Sequence, residues 1–445
     1  MEQNKMESYS IKKLVLSMSV PIMISMLIQA LYNIVDSMFV ARISTQALNA
    51  VSLCYPVQTM MIAVACGTCV GFNTVLSCFL GQKRYSDADN TVMHALLIAL
   101  ANALLFALLG IFGSESFLRF FTSDTAVISL GSDYIRICTL FSFGLFVQIT
   151  YERIMQATGN AFYNMVTQSI GALINIILDP IFIFGYFGLP AFGVAGAAAA
   201  TVIGQIAAML LCILITKKKI TSITIRIKCF HPSFSIIKKI YQIAVPAILM
   251  QSVISFMTVF MNLILVQFAD IAVSVFNIYY KLQQFLNMAV LGITNALIPI
   301  IAYNYGAKRT DRVCESIRFS LLLSSLIMAT GMILFQCFPE ELLSLFNADP
   351  LMYSIGIPAL RIISLSFVFA AVNMILSSSF QALNMANTSL VITLLRQLVV
   401  LLPFTYFLAR TFGLNNAWIS FPITEIFCAA LSMFSYRSLL KRLTK

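Results

Sequence analysis

Residues 21–42 read PIMISMLIQALYNIVDSMFVAR, an apolar stretch that contains one carboxylate, Asp36. About 20 such residues are enough to cross the roughly 30 Å hydrocarbon core of a membrane as a helix. A charge at that depth costs about 2.5 to 3.5 kcal/mol on insertion scales, and such residues usually face the interior of a helix bundle. Asp36 is therefore a candidate functional residue. The alternative is an acid that reaches the membrane surface and has no function of its own.

The whole chain shares this apolar character. Of its 445 residues, 60% are hydrophobic and 10% are charged, and the mean hydropathy is +0.92. These values exclude an ordinary soluble protein and are typical of a membrane protein with many spans. Lipid permits only helices and closed barrels as spanning structures, and long apolar runs such as residues 96–112 favour helices. We therefore expect an all-α, polytopic membrane fold.

Twelve apolar segments have the length of a membrane span. We place them at 14–40, 52–80, 91–112, 128–150, 161–186, 193–215, 241–268, 272–302, 317–338, 356–379, 388–409 and 414–435. Basic residues concentrate in alternate loops, for example at Lys83, Arg153 and Lys308. By the positive-inside rule this pattern predicts that both termini are cytoplasmic. It also accounts for the excess of 28 Lys and Arg over 17 Asp and Glu without a nucleic-acid partner.

The chain contains an internal repeat with an offset of 225 residues. The offset carries Pro21 onto Pro246 and the GxKR run at 81–84 onto the same run at 306–309. Because six predicted spans separate equivalent points, both halves have the same orientation in the membrane, which makes this a parallel repeat.

We expect the repeat to form two six-helix lobes. The first lobe covers 1–215, a basic cytoplasmic linker covers 216–240, and the second lobe with the tail covers 241–445. Binding sites in such folds lie near the middle of the membrane at the lobe interface, and alternating access comes from rocking one lobe against the other.

A second acid of the first lobe, Asp179, lies in the run NIILDP at 175–180. Asn175 and Asp179 are four residues apart and therefore share one helix face. Pro180 removes a backbone donor and loosens the helix beside Asp179, which would free carbonyls for a cation. The alternative is that Asp179 ends its span at the outer surface and that Pro180 helps to stop the helix.

Asp36 and Asp179 fall toward the same end of their predicted spans, so the pair could share a proton or a Na⁺. Burial and like-charge repulsion both favour protonation of a carboxylate, and a coupled pair titrates as one unit. A Na⁺ site would suit the same acids together with Asn175 and a nearby hydroxyl such as Thr201.

The second lobe lacks equivalent acids, because the offset carries the two aspartates onto Met261 and Phe404. Its own charges within predicted spans are Arg396 and Glu425. A mutual buried ion pair is the simplest role for them, and contact with substrate is the alternative.

No motif for enzymatic chemistry is present. We find no nucleophile triad, phosphate-binding loop or dinucleotide fingerprint, and His94 and His231 have no plausible cluster of metal ligands around them. We therefore expect neither an enzyme nor a cofactor beyond a coupling ion.

Several strings of this sequence together resemble the multidrug and toxic compound extrusion (MATE) family. In the first half these are YNIVDSMFV at 32–40, YERIMQATGN at 151–160 and NIILDP at 175–180. In the second half IPIIAYNYGAKR at 298–309, SFQALN at 379–384 and LLRQLVVLLP at 394–403 look like the bacterial multidrug-export branch.

The resemblance implies a V-shaped, monomeric antiporter of the bacterial inner membrane that expels organic cations and drugs in exchange for H⁺ or Na⁺. It implies that Asp36, Asn175 and Asp179 form the ion site, with Thr201 as the hydroxyl. Another branch of the family has a glutamate near the position of Gln251, which puts a second-lobe ion site of that type in doubt. The candidates for a polar site in the second lobe are Gln251, Arg396 and Glu425. The alternative is a flippase for a lipid-linked saccharide from the same broad superfamily.

Overall fold

The computed structural model describes residues 5–225, 230–346 and 349–443, and over these residues its regular structure is entirely helical. Within them, ten helices are long and apolar enough to cross a membrane. Two further pairs of helices reach the required length only together, and they are bent by 44° and 47° at a short break. Counting each bent pair as one span gives twelve, which confirms the predicted fold class.

We number these spans 1 to 12. Spans 1 to 6 are Ile11–Ala41, Thr45–Gly81, Tyr85–Phe121, the bent pair Thr125–Leu140 with Phe143–Ala157, Ala161–Phe184 and Gly193–Lys219. Spans 7 to 12 are Phe234–Leu265, Asp270–Gly306, Thr310–Cys337, the bent pair Pro350–Ser364 with Phe367–Ala382, Ala386–Phe412 and Leu414–Lys441. Short helices at Lys5–Ser8 and Pro339–Ser344 lie outside the spans, and a π-helical turn, Leu395–Val400, interrupts span 11.

The assignment of Arg153 to a loop after span 4 was wrong. Residues 151–157 continue the helix Phe143–Ala157, and Arg153 within it is only 9% exposed. Several of these residues are polar, so the sequence looks like a loop there, although the helix continues. Arg153 therefore belongs to the interior of the bundle and carries no information about membrane orientation.

The backbone reproduces the 225-residue repeat in detail. Non-glycine residues with left-handed backbone occur at Lys83 (φ 61°) and at its equivalent Lys308 (φ 58°). Left-handed backbone also occurs at a second equivalent pair of positions, Gly159 (φ 79°) and Asn384 (φ 60°). The two bends also fall at equivalent points, in spans 4 and 10. The two halves are thus built alike, although the exact lobe limits 1–215, 216–240 and 241–445 remain a prediction, and residues 226–229 of the linker lie outside the described residues.

The two halves meet where spans 1 and 2 pack against spans 7 and 8. Glycines permit the close approach. A Cβ atom on Gly67 would lie 2.5 Å from Ile248 Cγ1, and a Cβ atom on the equivalent Gly292 would lie 2.3 Å from Met23 Cγ. Since Ile248 and Met23 are themselves equivalent under the offset, each half presents the same glycine to the other.

One end of this interface is held by the segment that precedes span 1. Glu7 forms ion pairs with Lys83 of the first half, at 3.8 Å, and with Arg309 of the second half, at 3.2 Å. Arg312 of the second half donates hydrogen bonds to the backbone carbonyls of Met6 and Tyr9, each at 3.0 Å. The segment therefore bridges both GxKR turns, on the side that the charge pattern predicts to be cytoplasmic.

The described part of the linker is fastened to span 3. Asp89 Oδ1 accepts a hydrogen bond from the backbone N–H of Thr224 at 2.8 Å, and Asn90 pairs with both backbone groups of His231. His94 is buried and its Nε2 accepts from the N–H of Ser233 at 3.0 Å. These contacts fix the start of span 7 against the first half.

Replacing Gly67 with alanine should destabilise the fold. Alanine in a helix interior normally gains roughly 0.5 to 1 kcal/mol over glycine, but here the added methyl group meets the Ile248 backbone, and overpacking costs about 1 to 3 kcal/mol. We expect a lower midpoint of thermal unfolding in detergent for Gly67→Ala. The matched control is Gly113→Ala, since a Cβ atom there meets nothing within 4 Å; that variant should be at least as stable as wild type. Equal stability of the two variants would contradict the close-packed interface.

Candidate functional site

Spans 5 and 6 approach closely beside the acid of span 5. A Cβ atom on Gly204 would lie 2.7 Å from the Gly171 carbonyl oxygen and 3.2 Å from Asn175 Cβ. Small residues of this kind allow the backbones of membrane helices to come together. The approach brings Thr201, one turn before Gly204, into contact with Asn175.

The Asn175 amide links Asp179 to Thr201. In the amide orientation that satisfies both ends, Asn175 Nδ2 donates to Asp179 Oδ2 at 3.3 Å. Its oxygen then accepts from Thr201 Oγ1 at 3.3 Å and from the Thr201 N–H at 3.1 Å. Amide orientation is assigned from such networks. Asp179 itself is 0% exposed, so the interpretation of this residue as an acid at the membrane surface does not fit its burial.

Asp36 lies on span 1, which packs against span 5. Its Oδ1 atom is buried and accepts no hydrogen bond from the described residues. Tyr32, one turn before Asp36, and Asn175, one turn before Asp179, border one cavity, so both acids lie where spans 1 and 5 meet. The structure thus brings together all four residues that the sequence proposed for ion coupling: Asp36, Asn175, Asp179 and Thr201. Their role in coupling remains a prediction.

A cavity of about 250 Å³ lies next to this cluster. Asn175 and Thr201 form part of its wall in the first half, while Gln251 and Asn295 contribute from spans 7 and 8 of the second half. The cavity therefore touches both halves of the repeat, so its shape depends on how the halves are placed relative to each other.

A polar stripe on span 4 also lines this cavity, and the sequence analysis missed it. The stripe consists of Gln148, Glu152 and Gln156, which recur every four residues and so share one helix face. Gln148 Nε2 donates to Glu152 Oε1 at 2.9 Å. The spacing is visible in the sequence and could have revealed the stripe, but the segment was interpreted as the end of a span followed by a loop.

Arg153 connects this stripe to the second half. Its guanidinium donates to Gln156 Oε1 at 2.7 Å and to Asn295 Oδ1 of span 8 at 3.3 Å. A hydrogen bond between the halves thus lies at the cavity itself, and no sequence pattern indicated this partner.

The second half contains the predicted ion pair. Arg396 Nε donates to Glu425 Oε1 at 2.6 Å, so the two charges form the ion pair that the sequence predicted. Glu425 Oε2 also accepts from Asn373 Nδ2 at 2.7 Å. Arg396 belongs to the π-helical turn of span 11, a local feature that the sequence did not indicate. Gln251 lines the cavity, whereas Arg396 and Glu425 are not among its lining residues, so the three do not form one polar site there.

Comparisons with known proteins agree with this architecture. The MatE family model matches residues 21–181 and 246–407, and the two matches begin at the same repeat offset. The multidrug export protein MepA of Staphylococcus haemolyticus is 26% identical over 439 residues, which cover 98% of this chain and 96% of that protein. MepA of Staphylococcus aureus is 25% identical over 439 residues with the same coverage.

Solved structures of transporters also match over the full length. One is described as the outward-facing conformation of a multidrug resistance MATE family transporter of the MOP superfamily. It is 25% identical, covers 100% of this chain and 99% of its own, and has a TM-score of 0.92. A second is a MOP superfamily transporter from Pyrococcus furiosus, with the same identity, coverage and TM-score, whose description proposes a different function from the reversed polarity of its binding pocket.

Breaking the ion pair of the second half should cost more stability than removing it entirely. Glu425→Leu leaves the Arg396 charge buried and unpaired, which costs about 3 to 5 kcal/mol. The double variant Arg396→Met with Glu425→Leu removes both charges and should recover most of that loss, as measured by the unfolding midpoint in detergent. A double variant as unstable as the single one would contradict a mainly structural role for the pair.

Proposed function

Because the chain belongs to the MatE family of membrane transporters, we propose that it is a secondary antiporter that exports organic cations, including drugs, in exchange for H⁺ or Na⁺. The observation that carries this proposal is the pair Asp36 and Asp179, two acids on the packed spans 1 and 5 beside a cavity that both halves line. The names of the relatives as multidrug export proteins support drugs as the substrate class.

The coupling ion would act by neutralising the acid pair. Two nearby carboxylates of like charge repel each other, and a proton or a cation relieves the repulsion. Asn175 and Thr201 add amide and hydroxyl oxygens to the carboxylates, and oxygen ligands suit hard cations. Both kinds of ion therefore fit the donor set.

Exchange follows if binding of the ion to Asp36 and Asp179 lowers the affinity for substrate and binding of substrate lowers the affinity for the ion. Spans 1, 5 and 6 pack together and also form part of the cavity wall. An ion that draws Asp36 toward Asp179 would move span 1 relative to span 5 and change that wall. In the outward-facing state the ion would enter and weaken substrate binding. In the inward-facing state, release of the ion would restore the affinity for substrate.

The same proposal includes a multi-pass protein of a bacterial cell membrane with both termini in the cytoplasm, acting as a monomer. The basic residues of alternate loops support this orientation. The N-terminal bridge through Glu7 would then close the cytoplasmic side when the opposite side is open.

Replacing either acid should abolish coupled export. We expect cells that express Asp36→Asn or Asp179→Asn to retain a fluorescent organic cation as strongly as cells without the transporter. Wild type should expel it under an imposed pH gradient or an imposed Na⁺ gradient, whichever ion is coupled. The matched control is Asp133→Asn, because Asp133 is exposed on span 4; it should export like wild type at equal membrane levels.

Two outcomes would count against the proposal. Full export by both acid variants would remove the acid pair from the coupling mechanism. No export by wild type under either gradient would contradict the transport of organic cations, and flipping of a lipid-linked saccharide would then be tested.

A further inference from the structure

We propose that Glu152, Gln148 and Asn164 form a binding site for the N–H-bearing headgroup of an organic cation, such as a primary ammonium or an amidinium. The inference rests on the proposed function and adds to it a substrate site separate from the acid pair of the ion site. It assigns Glu152 the role of attracting the charge, and it assigns the two amide oxygens the role of accepting the N–H groups.

The first observation is the position of Glu152. It is 7% exposed, lies on the inner face of span 4 and lines the cavity that both halves share. A carboxylate inside a bundle is costly unless a cation compensates it. No basic side chain of the described residues forms an ion pair with Glu152, which distinguishes it from Glu425 with its partner Arg396.

The second observation is a set of unpaired acceptors on the same cavity. Gln148 Oε1 and Asn164 Oδ1 are buried and accept no hydrogen bond from the described residues. Gln148 is 8% exposed and Asn164 is 2% exposed, and both line the cavity. Buried acceptors nearly always have a donor, and unpaired ones in a cavity call for an explanation. A ligand that carries several N–H donors and a positive charge matches one carboxylate and two amide oxygens.

The neighbouring Arg153 does not cancel this preference. Arg153 lines the same cavity, and its Nη1 donates to Gln156 and to Asn295 of the second half, while its Nε has no partner among the described residues. Its charge nevertheless disfavours a cation in the same cavity. Removing it should therefore leave cation binding unchanged or strengthen it, whereas removing the Glu152 charge should weaken binding.

The arrangement also predicts discrimination between cations. Tetraphenylphosphonium carries a charge but no N–H group, so only the Glu152 carboxylate can favour it. The dye 4′,6-diamidino-2-phenylindole carries two amidinium groups, which can also donate to Gln148 and Asn164. Loss of an amide acceptor should therefore affect the second probe and spare the first.

The test measures equilibrium binding of these two probes to the purified full-length chain in detergent, at fixed pH and Na⁺ and without any gradient. We expect Glu152→Gln to weaken binding of both probes by about tenfold or more, which corresponds to one step of 1.4 kcal/mol. Asn164→Leu should weaken binding of the amidinium dye by a similar factor and change tetraphenylphosphonium by less than about twofold. Arg153→Gln should not weaken either probe.

The control is Glu115→Gln, because Glu115 is exposed and paired with Arg119 at 2.6 Å. It should bind both probes like wild type. Each variant is compared at an unfolding midpoint close to that of wild type. Asn164→Leu provides an independent readout if Glu152→Gln is unstable, since the difference between the two probes is measured within one protein sample.

The outcomes separate this inference from the proposed function. If wild type binds both probes and Glu152→Gln and Asn164→Leu bind them equally well, the inference is wrong while the antiport proposal stands. An equal loss of both probes in Asn164→Leu would also overturn it, because it would remove the role of the N–H donors. If wild type binds neither probe, the inference and the cation-export proposal both fail.

Discussion

Asp36 and Asp179 are two carboxylates on packed helices inside one bundle, and like charges in such surroundings repel each other. Asp179 is fully buried, and Asp36 Oδ1 has no hydrogen-bond partner among the described residues. Hydrocarbon supplies neither water nor counterions, so the repulsion is relieved only by a proton, a cation or movement of the spans. In the proposed mechanism, an ionic equilibrium in the first half is thereby connected to the positions of helices that border the cavity.

The buried charged residues are distributed unequally between two halves that share the same backbone architecture. Equivalent glycines face equivalent side chains at the interface, and equivalent bends occur in spans 4 and 10. The charges of Asp36, Asp179, Arg396 and Glu425 do not follow the repeat. In the second half, Glu425 is neutralised by Arg396 and by the amide of Asn373. The second half therefore carries a paired charge network, whereas Asp36 and Asp179 of the first half form no ion pair among the described residues.

The sequence predicted a large part of this arrangement because the signals were periodic. The 225-residue offset and the apolar segments gave the spans and the repeat, and the isolated charges of the last two spans gave the pair Arg396 and Glu425. The convergence of Asn175 and Asp179 followed from their spacing on one helix. The assignment of Arg153 to a loop was wrong because the sequence becomes less apolar there. The helix continues, but the face that it buries carries polar residues. Its hydrogen bond to Asn295 joins residues 142 positions apart across two lobes, and only the packing of the lobes determines it.

The most direct test of the central claim is whether substrate movement alone drives the coupling ion. Purified protein in liposomes would receive a gradient of an organic cation with no initial gradient of H⁺ or Na⁺, and dyes inside the liposomes would report both ions. The account predicts that downhill movement of the organic cation drives one of these ions in the opposite direction in wild type, and that this flux is absent in Asp179→Asn. Downhill movement of the organic cation without any ion flux in wild type would contradict it.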